Sequence, residues 1–71
     1  MKKNNYNAIW QRAGQPSIAN VSLTASTNHN AKQQANKIAR ELGVTNTPRT
    51  ITAWKDGKYV TIESINTGVS D

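Results

Sequence analysis

Trp54-Lys55-Asp56-Gly57-Lys58-Tyr59 is the stretch from which the fold can be worked out. Asp-Gly supplies two residues that tolerate positive φ, as a type I′ turn requires, so Lys55 is placed opposite Lys58 and Trp54 opposite Tyr59. Counting outward pairs Ala53 with Val60, Thr52 with Thr61 and Ile51 with Ile62. Facing residues share a side of a sheet and successive residues alternate between sides. One face of the hairpin is therefore aliphatic, built from Ile51, Ala53, Val60 and Ile62. The other presents Thr52, Trp54, Tyr59 and Thr61, with lysines at the turn, and is the candidate working surface.

Upstream, Tyr6 to Arg12 and Ser17 to Ala25 read as two more strands around the turn Ala13-Gly14-Gln15-Pro16. With Ala13 facing Pro16, Trp10 faces Ala19, Ala8 faces Val21 and Tyr6 faces Leu23. This gathers Tyr6, Ala8, Trp10, Ala19, Val21 and Leu23 on one face. It leaves Asn7, Ile9, Gln11, Ile18, Asn20, Ser22 and Thr24 on the other.

Between the hairpins, Ser26, Thr27 and Asn28 offer alternative N-cap oxygens for a helix running to about Leu42. Gly43 suits a left-handed C′ position and Val44 the apolar residue after it. Ala31, Ala35, Ile38, Ala39 and Leu42 recur at helical spacing as a narrow stripe of mostly small residues able to lie close on a sheet. Lys32, Gln33, Asn36, Lys37 and Arg40 fall away from that stripe. Thr45-Asn46-Thr47-Pro48 then turns the chain toward the third strand.

The expected architecture is thus a single α+β domain over residues 1–71. Its order is β-β-α-β-β, a four-stranded mainly antiparallel sheet with one helix packed on one face, and residues 1–4 and 67–71 are expected to fray. With 71 residues and no cysteine, no disulfide framework or thiolate metal site supplements a thin core. No apolar run approaches the ~20 residues of a membrane span. Met-Lys-Lys leads into Asn-Asn-Tyr-Asn rather than an apolar signal core, and the chain reads as soluble and cytoplasmic.

Catalytic chemistry has little to work with. His29 is the only histidine and falls in the first helical turn, so no second imidazole or thiolate completes a conventional metal site. Glu41, Asp56, Glu63 and Asp71 are scattered, and no nucleophile elbow or phosphate-binding loop surrounds any Ser or Thr. The reading is a binding protein, not an enzyme, with no cofactor and no metal. Nine Lys and Arg against four Asp and Glu give a net charge of +5, which favours polyanionic partners. The candidate partner-binding residues are Trp54, Tyr59, Lys55, Lys58, Arg12, Arg49, Lys37 and Arg40. Exposed aromatics on a sheet stack on unpaired bases while nearby cations neutralise phosphates, although no RNP-like, KH or zinc-finger signature is present.

The helix segment Ala31-Lys32-Gln33-Gln34-Ala35-Asn36-Lys37-Ile38-Ala39 and the hairpin Lys55-Asp56-Gly57-Lys58-Tyr59-Val60 also carry an architectural resemblance. Small size, one helix against a four-stranded sheet and a basic surface are similar to the phage-encoded accessory proteins, anti-CRISPR inhibitors among them. That resemblance implies a stoichiometric blocker of a protein complex that handles nucleic acid, with Trp54 or Tyr59 as buried anchors and Lys/Arg entering acidic pockets. Nucleic acid itself is the alternative partner. The third is a second copy of the chain, joined through the open sheet face or an exposed strand edge in a homo-oligomeric structural protein.

Overall fold

The computed structural model describes residues 3–70, so Met1, Lys2 and Asp71, and the fraying expected of them, lie outside the description. Strands β1 (Asn4–Trp10) and β2 (Ala19–Ala25) precede helix α1 (Asn28–Leu42), and β3 (Arg49–Lys55) and β4 (Lys58–Ile65) follow it. The α+β class and the β-β-α-β-β order agree with the sequence reading. The four strands form one antiparallel sheet in the order β2-β1-β3-β4. That interleaving follows from the helix. A helix of 15 residues, about 22 Å long at ~1.5 Å per residue, returns the chain to the end where β2 began, so β3 runs parallel to β2. β1 then sits between the two, antiparallel to both. No helix among the described residues is long and apolar enough to cross a membrane.

Next to its turn the β3–β4 hairpin takes the register that Asp-Gly dictates. The first hairpin turns at Arg12–Gln15, where the Gln15 amide donates to the Arg12 carbonyl at 3.1 Å, instead of at Ala13–Pro16, and keeps the expected pairing. Asp56 and Gly57 have φ of 51° and 81°, and Trp54 faces Tyr59. In the first hairpin Tyr6 faces Leu23, Ala8 faces Val21 and Trp10 faces Ala19. The helix begins where Thr27 accepts a hydrogen bond from the Asn30 amide at 3.1 Å, which selects Thr27 among the three candidate caps. It ends at Gly43, with φ of 72°, and the Val44 amide reaches back to the Ala39 carbonyl at 3.0 Å.

One face of the sheet is covered. Tyr6, Ala8, Trp10, Leu23, Ala25, Ile51 and Ala53 are buried beneath Ala31, Ala35 and Ala39 of the helix and Val44 after it. Alanines on the helix permit close approach, and the larger side chains come from the sheet. Leu42, expected in the apolar stripe, lies in the last helical turn and is 55 % exposed. Val60 is also exposed, because it stands on the outer strand β4 and the helix packs over the β2 side of the sheet.

Three features depart from the straightforward reading, and they belong together. Ile51 faces Glu63 instead of Ile62, because a β-bulge makes Ile62 an extra residue between Thr61 and Glu63. In a regular strand Glu63 would alternate onto the open face beside Thr61. The bulge turns its carboxylate to the covered side while Ile62 stays packed on the core. There it meets Arg49, which shares the parity of Ile51 and Ala53 and so points inward. Residues 66–70, finally, are docked where residues 67–71 were expected to fray. Gly68 is buried, its amide donates to the Thr45 carbonyl at 2.8 Å, and Val69 packs against the core.

Arg49 holds this corner together. Its Nε donates to Glu63 Oε1 at 2.9 Å, and Nη2 donates to the same carboxylate oxygen and to Ser70 Oγ at 3.0 Å. Nη1 donates to Asn36 Oδ1 at 2.7 Å and to the Gly68 carbonyl at 2.9 Å. The five donors of a guanidinium are thereby all used. Asn36, expected on the solvent side of the helix, is buried because its amide bridges Arg49 to Ser70: Nδ2 donates to the Ser70 carbonyl at 2.7 Å and Oδ1 accepts from the Ser70 amide at 3.0 Å. The Gly68 carbonyl also accepts from buried Trp10 Nε1 at 2.9 Å. Helix, sheet and C-terminal segment are tied through one charged pair on the covered side of the sheet.

Candidate functional site: the open sheet face

A four-stranded sheet covered on one side presents the other to solvent. The alternation that buries Tyr6, Ala8 and Trp10 sends Asn5, Asn7 and Ile9 outward. β2 contributes Asn20, Ser22 and Thr24, β3 contributes Thr50, Thr52 and Trp54, and β4 contributes Tyr59, Thr61 and Ser64. None of these outward strand residues is charged. The surface is a floor of amides and hydroxyls, able both to donate and to accept, with an aromatic pair at one end. Thr52 Oγ1 contacts the Asn7 carbonyl at 3.5 Å. Asn7 Oδ1, at the centre of the floor, is the one buried side-chain polar atom among the described residues that lacks a hydrogen-bond partner.

Trp54 and Tyr59 face each other across β3 and β4 with ring centroids 4.8 Å apart and planes at 70°. Such an edge-to-face pair contributes on the order of 1 kcal/mol to the hairpin. It does not use up the rings, for Trp54 remains 43 % and Tyr59 59 % exposed. The pair therefore braces its own geometry while keeping π surface available to a ligand.

The interleaved strand order brings the start of β1 beside the end of β3, and with it a residue outside the expected site. Lys3, Asn5, Trp54 and Lys55 line one hollow of about 440 Å³, together with Asn4 and Asp56. A second, of about 330 Å³, is lined by Asn5, Ser22, Thr24 and Tyr59 among others. Asn5 is common to both. At the far end of the same face, Ile9, Arg12, Pro48, Thr50 and Asn66 help to line a third hollow of about 610 Å³, and Arg12 Nη2 donates to the Asn46 carbonyl at 3.1 Å. The open face thus runs from a lysine-flanked aromatic end, across a neutral polar floor, to Arg12.

The residues singled out in the sequence separate accordingly. Trp54 and Tyr59 come together on the open face and Lys3 and Lys55 line the hollow beside Trp54, whereas Lys58, opposite Lys55, is next to the turn with the parity of Val60. Arg12 shares the face at its other end. Lys37 and Arg40 are exposed on the helix, in the other layer, and cannot join the same contact. Arg49 is corrected outright as a surface contact: it is 1 % exposed and committed to Glu63. Parity with Ile51 and Ala53 carries that signal in the sequence. Lys3 and Asn5 carry a weaker one, since they share the parity of Asn7 and Ile9, yet their closeness to Trp54 depends on strand order.

Elsewhere, His29 is exposed in the first turn of the helix and Glu41 is exposed near its end. No group of three or more His, Cys, Asp or Glu side chains forms a metal-binding cluster among the described residues. Comparison of the chain with protein families, curated proteins and solved structures finds no match.

Proposed function

We propose that this protein is a non-enzymatic binding module that takes single-stranded nucleic acid across its open sheet face. One observation carries the reading: two exposed aromatic rings stand on the uncovered face of an antiparallel sheet, with Lys3 and Lys55 lining the hollow beside Trp54. Bases stack on such rings whatever their identity, and the lysines meet the phosphates that flank the stacked base. The neutral Asn, Ser and Thr floor suits the polar edges of bases. An acidic protein surface, by contrast, is matched by cations on the face itself, and here the cations stand at its ends. A cytoplasmic location accompanies this reading.

The test is fluorescence anisotropy with labelled single-stranded and duplex oligonucleotides across a salt series. Single strands bind more tightly than duplex, and affinity falls with salt, with a log–log slope of about −0.7 for each phosphate contacted. Trp54→Ala weakens single-strand binding by about 1–3 kcal/mol, roughly 5- to 150-fold. Absence of binding at moderate salt removes the proposal. It would favour instead a phage-type inhibitor in which the same aromatic pair anchors on a nucleic-acid-handling protein complex, a reading judged by loss of target cleavage on adding the purified protein.

A further inference from the structure

The two edges of the sheet are built differently. β4 is guarded: it carries the bulge at Ile62, Lys58 at its start and the inward-pointing Glu63, three devices that discourage another strand from pairing there. β2, at the opposite edge, has none of them. Ala19-Asn20-Val21-Ser22-Leu23-Thr24-Ala25 contains no charge and no proline, and its pairing with β1 is unbroken from Asn4–Ala25 to Trp10–Ala19.

Its outward main-chain groups can be assigned. The Thr24 carbonyl accepts from Gln34 Nε2 of the helix at 2.8 Å and is therefore an edge carbonyl. By the alternation of an antiparallel ladder, Ser22 and Asn20 also direct their main-chain amides and carbonyls away from β1. Among the described residues Gln34 is the one helix side chain hydrogen-bonded to this row, at Thr24 alone.

We infer that β2 is a dimerisation edge that pairs antiparallel with β2 of a second copy about a two-fold axis through Ser22. In that register Ser22 faces Ser22 of the other copy, Asn20 faces Thr24, and Val21 faces Leu23. The sequence is self-complementary on both sides: hydroxyl and amide groups meet on the open face, and aliphatic groups meet on the covered face. The carbonyl of Thr24 has a second lone pair, so its bond to Gln34 does not block the new ladder. Pairing β2 with β2 consumes the unguarded edge of both copies, and the guarded β4 edges at the two ends stop further growth. The product is a closed dimer with an eight-stranded sheet, not a fibre. A single strand pair is a small interface, so dissociation in the micromolar range or weaker is expected.

Sedimentation equilibrium over a broad concentration range, with two cysteine variants, tests this independently of what the open face binds. The chain has no cysteine of its own. Ser22→Cys places two thiols at the two-fold, with Cα atoms about 5.5 Å apart and so within disulfide reach. Ser64→Cys, equally exposed on β4, is the control. The expected results are a concentration-dependent dimer, its loss in Ser22→Lys through like-charge repulsion, and much faster covalent dimer formation by Ser22→Cys than by Ser64→Cys. A monomer at high micromolar concentration overturns the inference. So does a dimer that persists in Ser22→Lys, or equal cross-linking of the two cysteine variants; either would place the contact elsewhere.

Discussion

Replacing Glu63 by alanine removes the only anionic partner of Arg49 among the described residues while leaving the guanidinium in place. The pair is almost wholly enclosed, with side-chain exposures of 0 % for Arg49 and 7 % for Glu63. Asn36 Oδ1, the Gly68 carbonyl and Ser70 Oγ still accept from Arg49 in the variant, but none of them carries charge. Breaking a buried pair in this way costs about 3–5 kcal/mol, chiefly from the unneutralised charge left behind. At roughly 0.05–0.15 kcal/mol per residue, that is a large fraction of the stability of a domain this small. In a domain of 60–100 residues each 1 kcal/mol displaces Tm by about 4–8 °C, so a fall of at least ~12 °C is expected. Urea and thermal unfolding followed by circular dichroism and Trp10 fluorescence supply the measurement. Arg49→Met with Glu63→Leu should recover much of the loss, since a packed apolar pair removes the buried charge along with its partner. A Glu63→Ala variant within about 1 kcal/mol of the parent, the range of an exposed pair, would refute the assignment of the network as the tie between helix, sheet and C-terminal segment.

Deletion of Ile62 removes the extra residue while leaving Glu63 opposite Ile51 and so still turned toward Arg49, and the variant is expected to keep a cooperative urea transition, weakened by about 0.5–3 kcal/mol through loss of the Ile62 packing on the core. Gly68→Ala is expected to destabilise the domain by about 1–3 kcal/mol, because an added Cβ would lie 2.0 Å from the Val44 carbonyl oxygen; amide exchange should rise along residues 66–70. Thr27→Ala should cost about 1 kcal/mol by thermal unfolding, whereas Ser26→Ala, which removes no cap, should leave Tm close to the parent.

Local chemistry made the two hairpins legible. Asp56-Gly57 sets one register by backbone conformation, and Tyr6, Ala8 and Trp10 set the other because a slip of one residue would expose them. The caps of the helix were readable for the same reason, each being a single residue acting on its neighbours. Long-range relations were not. Nothing local to Thr61-Ile62-Glu63 announces a bulge; the demand for it comes from Arg49, fourteen residues away. Asn36 looks like a solvent-facing helix residue until the C-terminal segment arrives beside it, and Gly68 looks like a frayed end until its close approach to Val44 is known. The site divides along the same line. Trp54, Tyr59, Lys55 and Lys58 follow from the turn alone, while the contribution of Lys3 and Asn5 waits on the strand order that places β1 beside β3. Arg49 shows the converse error, a cation counted with the surface although its parity placed it in the core.

The central claim concerns which face binds, and amide chemical-shift mapping tests it most directly. Titrating the isotopically labelled protein with a short unstructured single-stranded oligonucleotide at moderate salt should shift resonances of Asn5, Asn7, Thr52, Trp54 and Tyr59, including the Trp54 indole, while Lys37 and Arg40 on the helix stay in place. Shifts confined to the helix, or none at saturating oligonucleotide, would contradict the account.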